Sequence, residues 1–237
     1  MSSQVARVEQ LREQMVRAAQ AILKSGAISR SGHGNMSVRI PGTDTMLLTS
    51  VSNLEHLSVD QLPLVTLGGR VVDGELDPTS AEIVHMHGVV YGKNTGLGAV
   101  IHTHAPYTTT FAVANRPIEC WYEGLARFDL TDPVPVARYA PRGSPESVSY
   151  IADVMTERSR AVLLQNHGVL TFEHDLMSAV RVLVLLEEAA ELGLRASLIG
   201  QPTLIPQSAI EYTQRRAQEF AERGQVTAHT PMEDPPH

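Results

Sequence analysis

The stretch VIHTHAPYTTTFA (Val100–Ala112) decides the interpretation of this chain, because it holds two histidines two positions apart in a run of β-branched and apolar residues. Side chains alternate across a strand, so residues i and i+2 point to the same side. His102 and His104 can therefore direct both imidazoles at one point. The pattern predicts a strand that carries two ligands of a metal ion.

A third imidazole belongs to His167 in QNHG, at the predicted end of a strand, where a tight turn can aim the ring inward. Three imidazoles leave the fourth zinc position to water or substrate, as in catalytic zinc sites. The donor set favours Zn²⁺, and Mn²⁺, Co²⁺ or Fe²⁺ are alternatives. A purely structural alternative buries one ring of the strand pair in the core and stacks the other on a neighbour.

Glu82 in DPTSAE lies in the first turn of a predicted helix from Ser80 to about Tyr91. Its carboxylate can carry a proton if that helix packs beside the metal. The alternative is a capping box formed with Thr79. Two further histidines, His85 and His87, diverge by about 200° on a helix, so at most one faces the same site. We expect both in the core or behind the ligands.

Composition limits the class of protein. The 237 residues are 43% hydrophobic, which favours one domain over 1–224, and the polar, proline-containing end predicts a disordered tail over 225–237. A formal charge of -7 with scattered Lys and Arg argues against a nucleic-acid partner. The single cysteine, Cys120, forms no intramolecular disulfide, and no apolar run suggests a signal peptide or a membrane span. We therefore expect a cytoplasmic protein.

The order of predicted elements sets the fold class. An amphipathic helix opens the chain over Val5–Ile22, and short strands separated by tight turns follow, which favours antiparallel neighbours. Strands and helices then alternate before a long apolar helix that begins after Asp175. This order predicts an α/β fold, a three-layer α/β/α sandwich around a mostly antiparallel central sheet. The predicted strands lie at 36–40, 46–50, 62–67, 70–72, 99–104, 117–122, 134–139 and on either side of Asn166.

Five motifs in this order resemble the class II aldolase/adducin family, and they run from about Gly26 to Gly168. They are GHGNMSVRI, MLLTS, DPTSAEIVHMHGVVY, AVIHTHAP and LLQNHG. Each motif alone is weak, whereas the ordered set is specific. The family that the chain resembles includes fuculose-phosphate aldolase and enzymes that decarboxylate hydroxylated aromatic acids.

The resemblance implies a class II aldolase-like fold, a divalent metal on the three histidines and Glu82 as the acid/base. It also implies a homotetramer with active sites at subunit boundaries, and a carbon–carbon lyase that proceeds through a metal-stabilised enolate or enediolate. The resemblance also implies substrate-binding residues in the loops that match the family, namely Asn35, Ser37, Thr49, Ser50 and Ser80. The neighbouring His33 can compensate for changes in these loops.

Two departures from the family pattern bear on the substrate. The family's T-P-S/T-G turn reads Thr49-Ser50-Val51-Ser52, and its serine pair reads Ser80-Ala81. Without the glycine, backbone N–H groups approach an anion less closely, which disfavours a phosphate and favours a carboxylate. Three aromatic side chains can wall a flat ring, or can simply pack in the core or an interface; they are Trp121, Tyr122 and Phe128.

The sequence therefore narrowly favours a decarboxylase of a hydroxylated, aromatic carboxylic acid. An aldolase that cleaves a sugar phosphate or a hydroxy-oxo acid is the alternative. A non-catalytic adducin-like interaction module is a second alternative, although such modules lack the metal histidines. A three-histidine zinc hydrolase would instead lower the pKa of bound water to about 7 and attack a carbonyl.

Overall fold

An eight-stranded sheet forms the middle layer of the protein in the computed structural model, which describes residues 3–227. The strands are β1 (Gly34–Arg39), β2 (Thr45–Leu48), β3 (Leu64–Thr66), β4 (Val71–Asp73), β5 (Ala99–Thr103), β6 (Val136–Ala137), β7 (Ala161–Leu164) and β8 (Gly168–Glu173). Their spatial order is β4-β3-β2-β1-β5-β8-β7-β6. Every neighbouring pair is antiparallel except β6 and β7, so the predicted mostly antiparallel sheet is confirmed.

Helices cover both faces of the sheet. They are α1 (Ser3–Ser25), α2 (Pro78–Lys93), α3 (Pro106–Val113), α4 (Glu123–Arg127), α5 (Pro145–Val154), α6 (Leu176–Ile199) and α7 (Gln207–Thr227), with a short 3-10 helix at Val59–Gln61. Helices α1, α3 and α6 share one hydrophobic cluster with the sheet, and α2 and α5 share the other. The predicted three-layer sandwich is therefore confirmed.

Strand β5 shows how the two clusters assign the faces. Ile101 packs in the cluster that contains α1 and α6, whereas Val100 packs in the cluster that contains α2 and α5. Because side chains alternate, His102 lies on the same face as Val100. The histidine of the central strand therefore faces the layer formed by α2 and α5.

Helix α2 begins differently from the prediction. Asp77 is its N-cap and accepts a hydrogen bond from the backbone N–H of Thr79 at 2.8 Å, and Pro78 occupies the first turn. Aspartate followed by proline is itself a strong helix start, because the ring has the helical φ and no N–H to satisfy. The predicted capping box of Thr79 and Glu82 is therefore wrong, and the Glu82 carboxylate is not used by the cap.

The segment predicted as a strand at 117–122 forms only one bridge, between Ile118 and Val134. Prolines at 117, 133 and 135 remove backbone donors that a ladder needs. At the other end of the chain, α7 continues to Thr227, past the predicted domain end at 224, and 228–237 of the predicted tail lie outside the described residues. Among the described residues, every helix is too short or too polar to span a bilayer.

A buried carboxylate joins α6 to the chain that follows the histidine pair. Glu187 is 8% exposed, and its two oxygens accept the backbone N–H groups of Tyr107 at 2.7 Å and Thr108 at 2.9 Å. These N–H groups belong to the first turn of α3, where no intrahelical acceptor exists. Burial raises the pKa of Glu187, while the donated hydrogen bonds act in the opposite direction.

Replacing Glu187 by Gln should lower the free energy of unfolding by about 1–3 kcal/mol, because an amide nitrogen would face a buried donor. Urea unfolding measures the change. The neighbouring Glu188 is exposed, so Glu188→Gln is the matched control and should change stability by less than about 0.5 kcal/mol. Equal effects of the two substitutions would contradict the role of the buried carboxylate.

Candidate metal centre and substrate pocket

The structure brings together the three histidines that the sequence selected. One ring nitrogen from each of His102, His104 and His167 lies within 4.8 Å of the other two. The Nε2 atoms of His102 and His104 are 3.2 Å apart, and the ring centroids of His102 and His167 are 4.7 Å apart. Three imidazoles from two distant stretches of chain thus face one point.

The hydrogen bonding of His102 fixes which nitrogen is free. Its Nδ1 lies 3.0 Å from the carbonyl oxygen of Val169, and a carbonyl only accepts, so Nδ1 carries the proton. The lone pair is therefore on Nε2, which points at His104. Zinc ligands at about 2.0–2.1 Å in a tetrahedron are about 3.3–3.4 Å apart. The observed spacing of the two Nε2 atoms fits such an ion.

Burial keeps the cluster neutral. It lowers the pKa of His102 well below the ordinary value, and the neighbouring His167 and His104 act in the same direction. Burial and then His167 lower the pKa of His104 to about 4. Burial, followed by the charge of Arg142, lowers the pKa of His167. Neutral imidazoles have the lone pairs that a metal needs near pH 7.

Two glycines allow the neighbouring backbones to approach β5. A Cβ at Gly34 would lie 2.8 Å from the carbonyl oxygen of His102, and one at Gly168 would lie 2.5 Å from that of Thr103. Between β7 and β8, Asn166 adopts φ +58°, a conformation that Asn tolerates better than most residues. This turn carries His167 to the end of the sheet beside the other two rings.

A pocket opens over the three rings, between the sheet and the layer of α2 and α5. Glu82 lies on its wall with a side chain that is 50% exposed, and the Oε2 atom is 3.1 Å from Nε of Arg142. A second guanidinium nitrogen of Arg142 donates to the carbonyl of Thr79. The carboxylate predicted as acid/base therefore faces the same pocket as the histidines and is paired with a cation.

Three of the six predicted substrate-binding residues line this pocket, namely Asn35, Ser80 and His33. The rings of His33 and His104 are parallel within 2°, with centroids 6.3 Å apart. The Ser80 hydroxyl donates to the carbonyl of Ser50 at 2.9 Å. This group of residues can meet a ligand that lies over the histidine cluster.

The other three predicted binding residues lie behind the pocket wall. Ser37 and Thr49 are fully buried, and the Thr49 hydroxyl accepts the backbone N–H of Met36 at 3.2 Å. Ser50 contributes the carbonyl that Ser80 contacts. In the described chain these three residues do not line the pocket; Thr49 bonds to β1, and Ser37 contacts His87 and Tyr91 of α2.

Of the two roles considered for the three aromatic residues, the structure supports packing over a wall of the pocket. None of Trp121, Tyr122 and Phe128 lines the histidine pocket of the described chain. Trp121 donates from Nε1 to the carbonyl of Ala189 on α6 at 2.7 Å and packs beside Phe111, on the opposite face of the sheet. Trp121 and Tyr122 pack against the cluster around α6, as the packing alternative expected, and the ring of Phe128, which is 41% exposed, lies under the guanidinium of Arg181.

The two helical histidines of α2 differ. His85 is exposed, so the expectation of a core position is wrong for it. His87 is fully buried and contacts Asn35 and Ser37 through its two ring nitrogens, as expected for a residue behind the site. The 100° rotation per residue separates the environments of the two rings.

Sequence reasoning missed one side of the pocket. It comes from the loop between β6 and α5 and from the residue after β7: Arg138, Tyr139, Arg142 and Gln165. Arginines in a loop have no spacing that marks them as functional, and about sixty positions separate them from Glu82. The only available signal was a basic loop just before a helix that packs against α2.

A mostly antiparallel sheet between helices, with three clustered imidazoles and an ion-paired carboxylate in one pocket, defines an α/β protein with a candidate metal site. Comparison with known proteins identifies its family. Residues 13–194 match the family described as Class II Aldolase and Adducin N-terminal domain. The chain belongs to this family.

Relatives in this family carry related activities. A 5-deoxy-D-ribulose 1-phosphate aldolase of Bacillus thuringiensis serovar kurstaki is 27% identical over 217 residues, 90% of this chain and 97% of the relative. A 3-oxo-tetronate 4-phosphate decarboxylase of Haemophilus influenzae is 29% identical, over 76% of this chain and 85% of the relative. The solved structure of an L-fuculose 1-phosphate aldolase has a TM-score of 0.78 at 24% identity and covers 92% of this chain and 98% of its own, which shows a shared fold.

Substituting His102 by Ala should abolish stoichiometric zinc binding, because the remaining two imidazoles make an incomplete site. Metal content after dialysis against Zn²⁺ measures the loss, and Co²⁺ absorption spectra report the change in ligand set. His85→Ala, which alters an exposed histidine, is the control and should keep one ion per chain. Zinc retained at that level in the His102 variant would rule out the ligand assignment.

Proposed function

We propose that this protein is a divalent-metal-dependent lyase that breaks a carbon–carbon bond in a small phosphorylated hydroxy-carbonyl compound, as an aldolase does. The observation that carries the proposal is the cluster of three neutral imidazoles that shares a pocket with Glu82 and Arg142. In this proposal His102, His104 and His167 are the metal ligands, with zinc favoured by the all-nitrogen donor set.

The chemistry divides between the metal and the chain. A divalent cation on the three histidines supplies a Lewis acid for the negative charge that remains when the bond breaks. Glu82 moves the proton, since its carboxylate is half exposed in the pocket and is not used by the helix cap. Arg142 orients that carboxylate through a contact of 3.1 Å and adds positive charge beside an anionic substrate.

The charge of the pocket supports an anionic substrate. Arg138 and Arg142 line it together with one carboxylate, that of Glu82. Two further donors line the pocket, the hydroxyl of Ser52 and the amide of Asn35, and can bind phosphate oxygens. The relatives named above act on phosphorylated compounds. An aromatic substrate loses its support, because the aromatic residues that motivated it pack outside the pocket. The preference for a carboxylate, drawn from the missing glycine in the turn after β2, applies to the second candidate.

Decarboxylation of a phosphorylated oxo acid is the second candidate. The ion pair between Arg142 and Glu82 favours it, because this guanidinium already binds a carboxylate inside the pocket. Loss of carbon dioxide and retro-aldol cleavage leave the same electron pair on carbon, so the same residues can serve both.

We further propose a homotetramer with active sites at subunit boundaries, on the strength of family membership.

Product analysis separates these reactions. Zinc-loaded protein is incubated with phosphorylated deoxyketoses, with phosphorylated oxo acids and with dihydroxybenzoates, and aldehyde and carbon dioxide are measured together. We expect aldehyde from the ketose phosphates and no reaction without metal. Carbon dioxide from the oxo acids alone would select the second candidate. Turnover of dihydroxybenzoates alone would contradict the proposed substrate class.

Glu82→Gln should leave zinc content unchanged and reduce kcat by about 10²–10⁴, because the amide has the same size and cannot accept the proton. Steady-state kinetics on the substrate found by product analysis measures the change. Glu75→Gln, at an exposed position outside the pocket, is the matched control and should keep wild-type kinetics. An unchanged kcat in the Glu82 variant would remove this residue from proton transfer.

A further inference from the structure

A buried series of hydrogen-bonded side chains, the polar chain, runs from α2 to the pocket wall on β1; its members are Tyr91, Ser37, His87 and Asn35. Asn35 and Ser37 are two positions apart on that strand and therefore share a face, and His87 on α2 lies over both. Asn35 pairs across the strands with His102, so its side chain stands on the same face as that proposed metal ligand. The polar chain thus links α2 to the edge of the histidine cluster.

Each contact in this chain is short. The Nδ1 atom of His87 is 2.7 Å from the Ser37 hydroxyl, and Nε2 is 2.7 Å from Oδ1 of Asn35. The Tyr91 hydroxyl is 2.9 Å from the Ser37 hydroxyl and donates toward the Ser37 carbonyl at 3.1 Å. His87 and Ser37 are fully buried, and Tyr91 is 1% exposed, so water does not compete for these groups.

The positions of the protons give the polar chain a direction of donation, from Ser37 through His87 to Asn35. Burial lowers the pKa of His87 to about 3, so the ring is neutral and has one N–H. An amide oxygen only accepts, so the proton is on Nε2 and is donated to Asn35. The Nδ1 atom then accepts the hydroxyl proton of Ser37. One proton on one ring therefore fixes the orientation of the amide at the end of the chain.

The other end of the Asn35 amide faces the pocket. Asn35 is 6% exposed and lines the pocket, and its Oδ1 is used by His87. Within residues 3–227 no hydrogen bond from its Nδ2 is formed. The NH₂ group of this pocket-lining residue is thus free to meet a ligand beside the histidine cluster. Such a group binds an oxygen acceptor on a ligand.

We propose that His87 is a positioning residue that holds Asn35 with its NH₂ group toward the pocket and so makes this wall selective for an anionic oxygen of the substrate. The identity of that oxygen, a phosphate or a carboxylate, rests on the proposed function, whereas the orientation of the amide does not. With the amide reversed, the wall would present an acceptor oxygen and would repel the same anion.

Binding of inorganic phosphate tests the selectivity. Calorimetry compares zinc-loaded wild type with His87→Leu, which removes the donor to Asn35 and lets the amide rotate, and we expect about a tenfold weaker affinity. Tyr91→Phe is the control, because it cuts the far end of the chain and keeps the His87–Asn35 contact. It should destabilise the fold and bind phosphate as the wild type does. Zinc content should be unchanged in both variants.

Equal loss of phosphate binding in both variants, or none in His87→Leu, would overturn the positioning role. A readout of the ring itself keeps the inference separate from the proposed substrate. Long-range ¹H–¹⁵N spectra should show His87 with the proton on Nε2, with Nδ1 bare, unchanged from about pH 5.5 to 8. A proton on Nδ1, or titration in that range, would overturn the inference. If the wild-type protein does not bind phosphate, that result contradicts the proposed phosphorylated substrate class, and the spectra alone decide whether His87 positions Asn35.

Discussion

The pairing of the central strand β5 with β1 on one side and β8 on the other is the constraint on which the site depends. His102 stands opposite Asn35 on β1 and opposite Leu170 on β8, and its Nδ1 proton goes to the neighbouring carbonyl of Val169. One strand therefore sets the position, the face and the tautomer of a ring. A slip of β5 by one residue against both neighbours would turn this ring to the opposite face of the sheet.

The site is organised around groups that stay neutral and groups that stay charged. Burial lowers the pKa of His102, of His104 and of the more distant His87, so the sheet side of the pocket carries lone pairs and fixed dipoles. The charges lie on the opposite side, where Arg142 pairs with Glu82 at 49% and 50% exposure. Neutral donors on one side and a solvated ion pair on the other leave room for a charged ligand between them.

Local pattern was sufficient for most elements and insufficient at their ends. The β-branched and apolar run of β5 and the long apolar run of α6 each mark an element that the core buries, so both were predicted correctly. The predicted start of α2 was wrong because the sequence holds two adjacent helix-start signals. The helix begins after the N-cap Asp77 with Pro78, and not with a capping box of Thr79 and Glu82. The segment at 117–122 has strand-like residues, but the nearby prolines remove the donors that pairing needs.

By itself the sequence determined the family, the layer architecture and the candidate ligands His102, His104 and His167, because these depend on residue type and on spacing along one strand or turn. Only the tertiary structure decided which residues meet them. Arg142 lies sixty positions from Glu82, and the burial that separates His87 from His85 arises from packing of α2 on the sheet. Contacts between distant segments have no local period, so no pattern along the chain announces them.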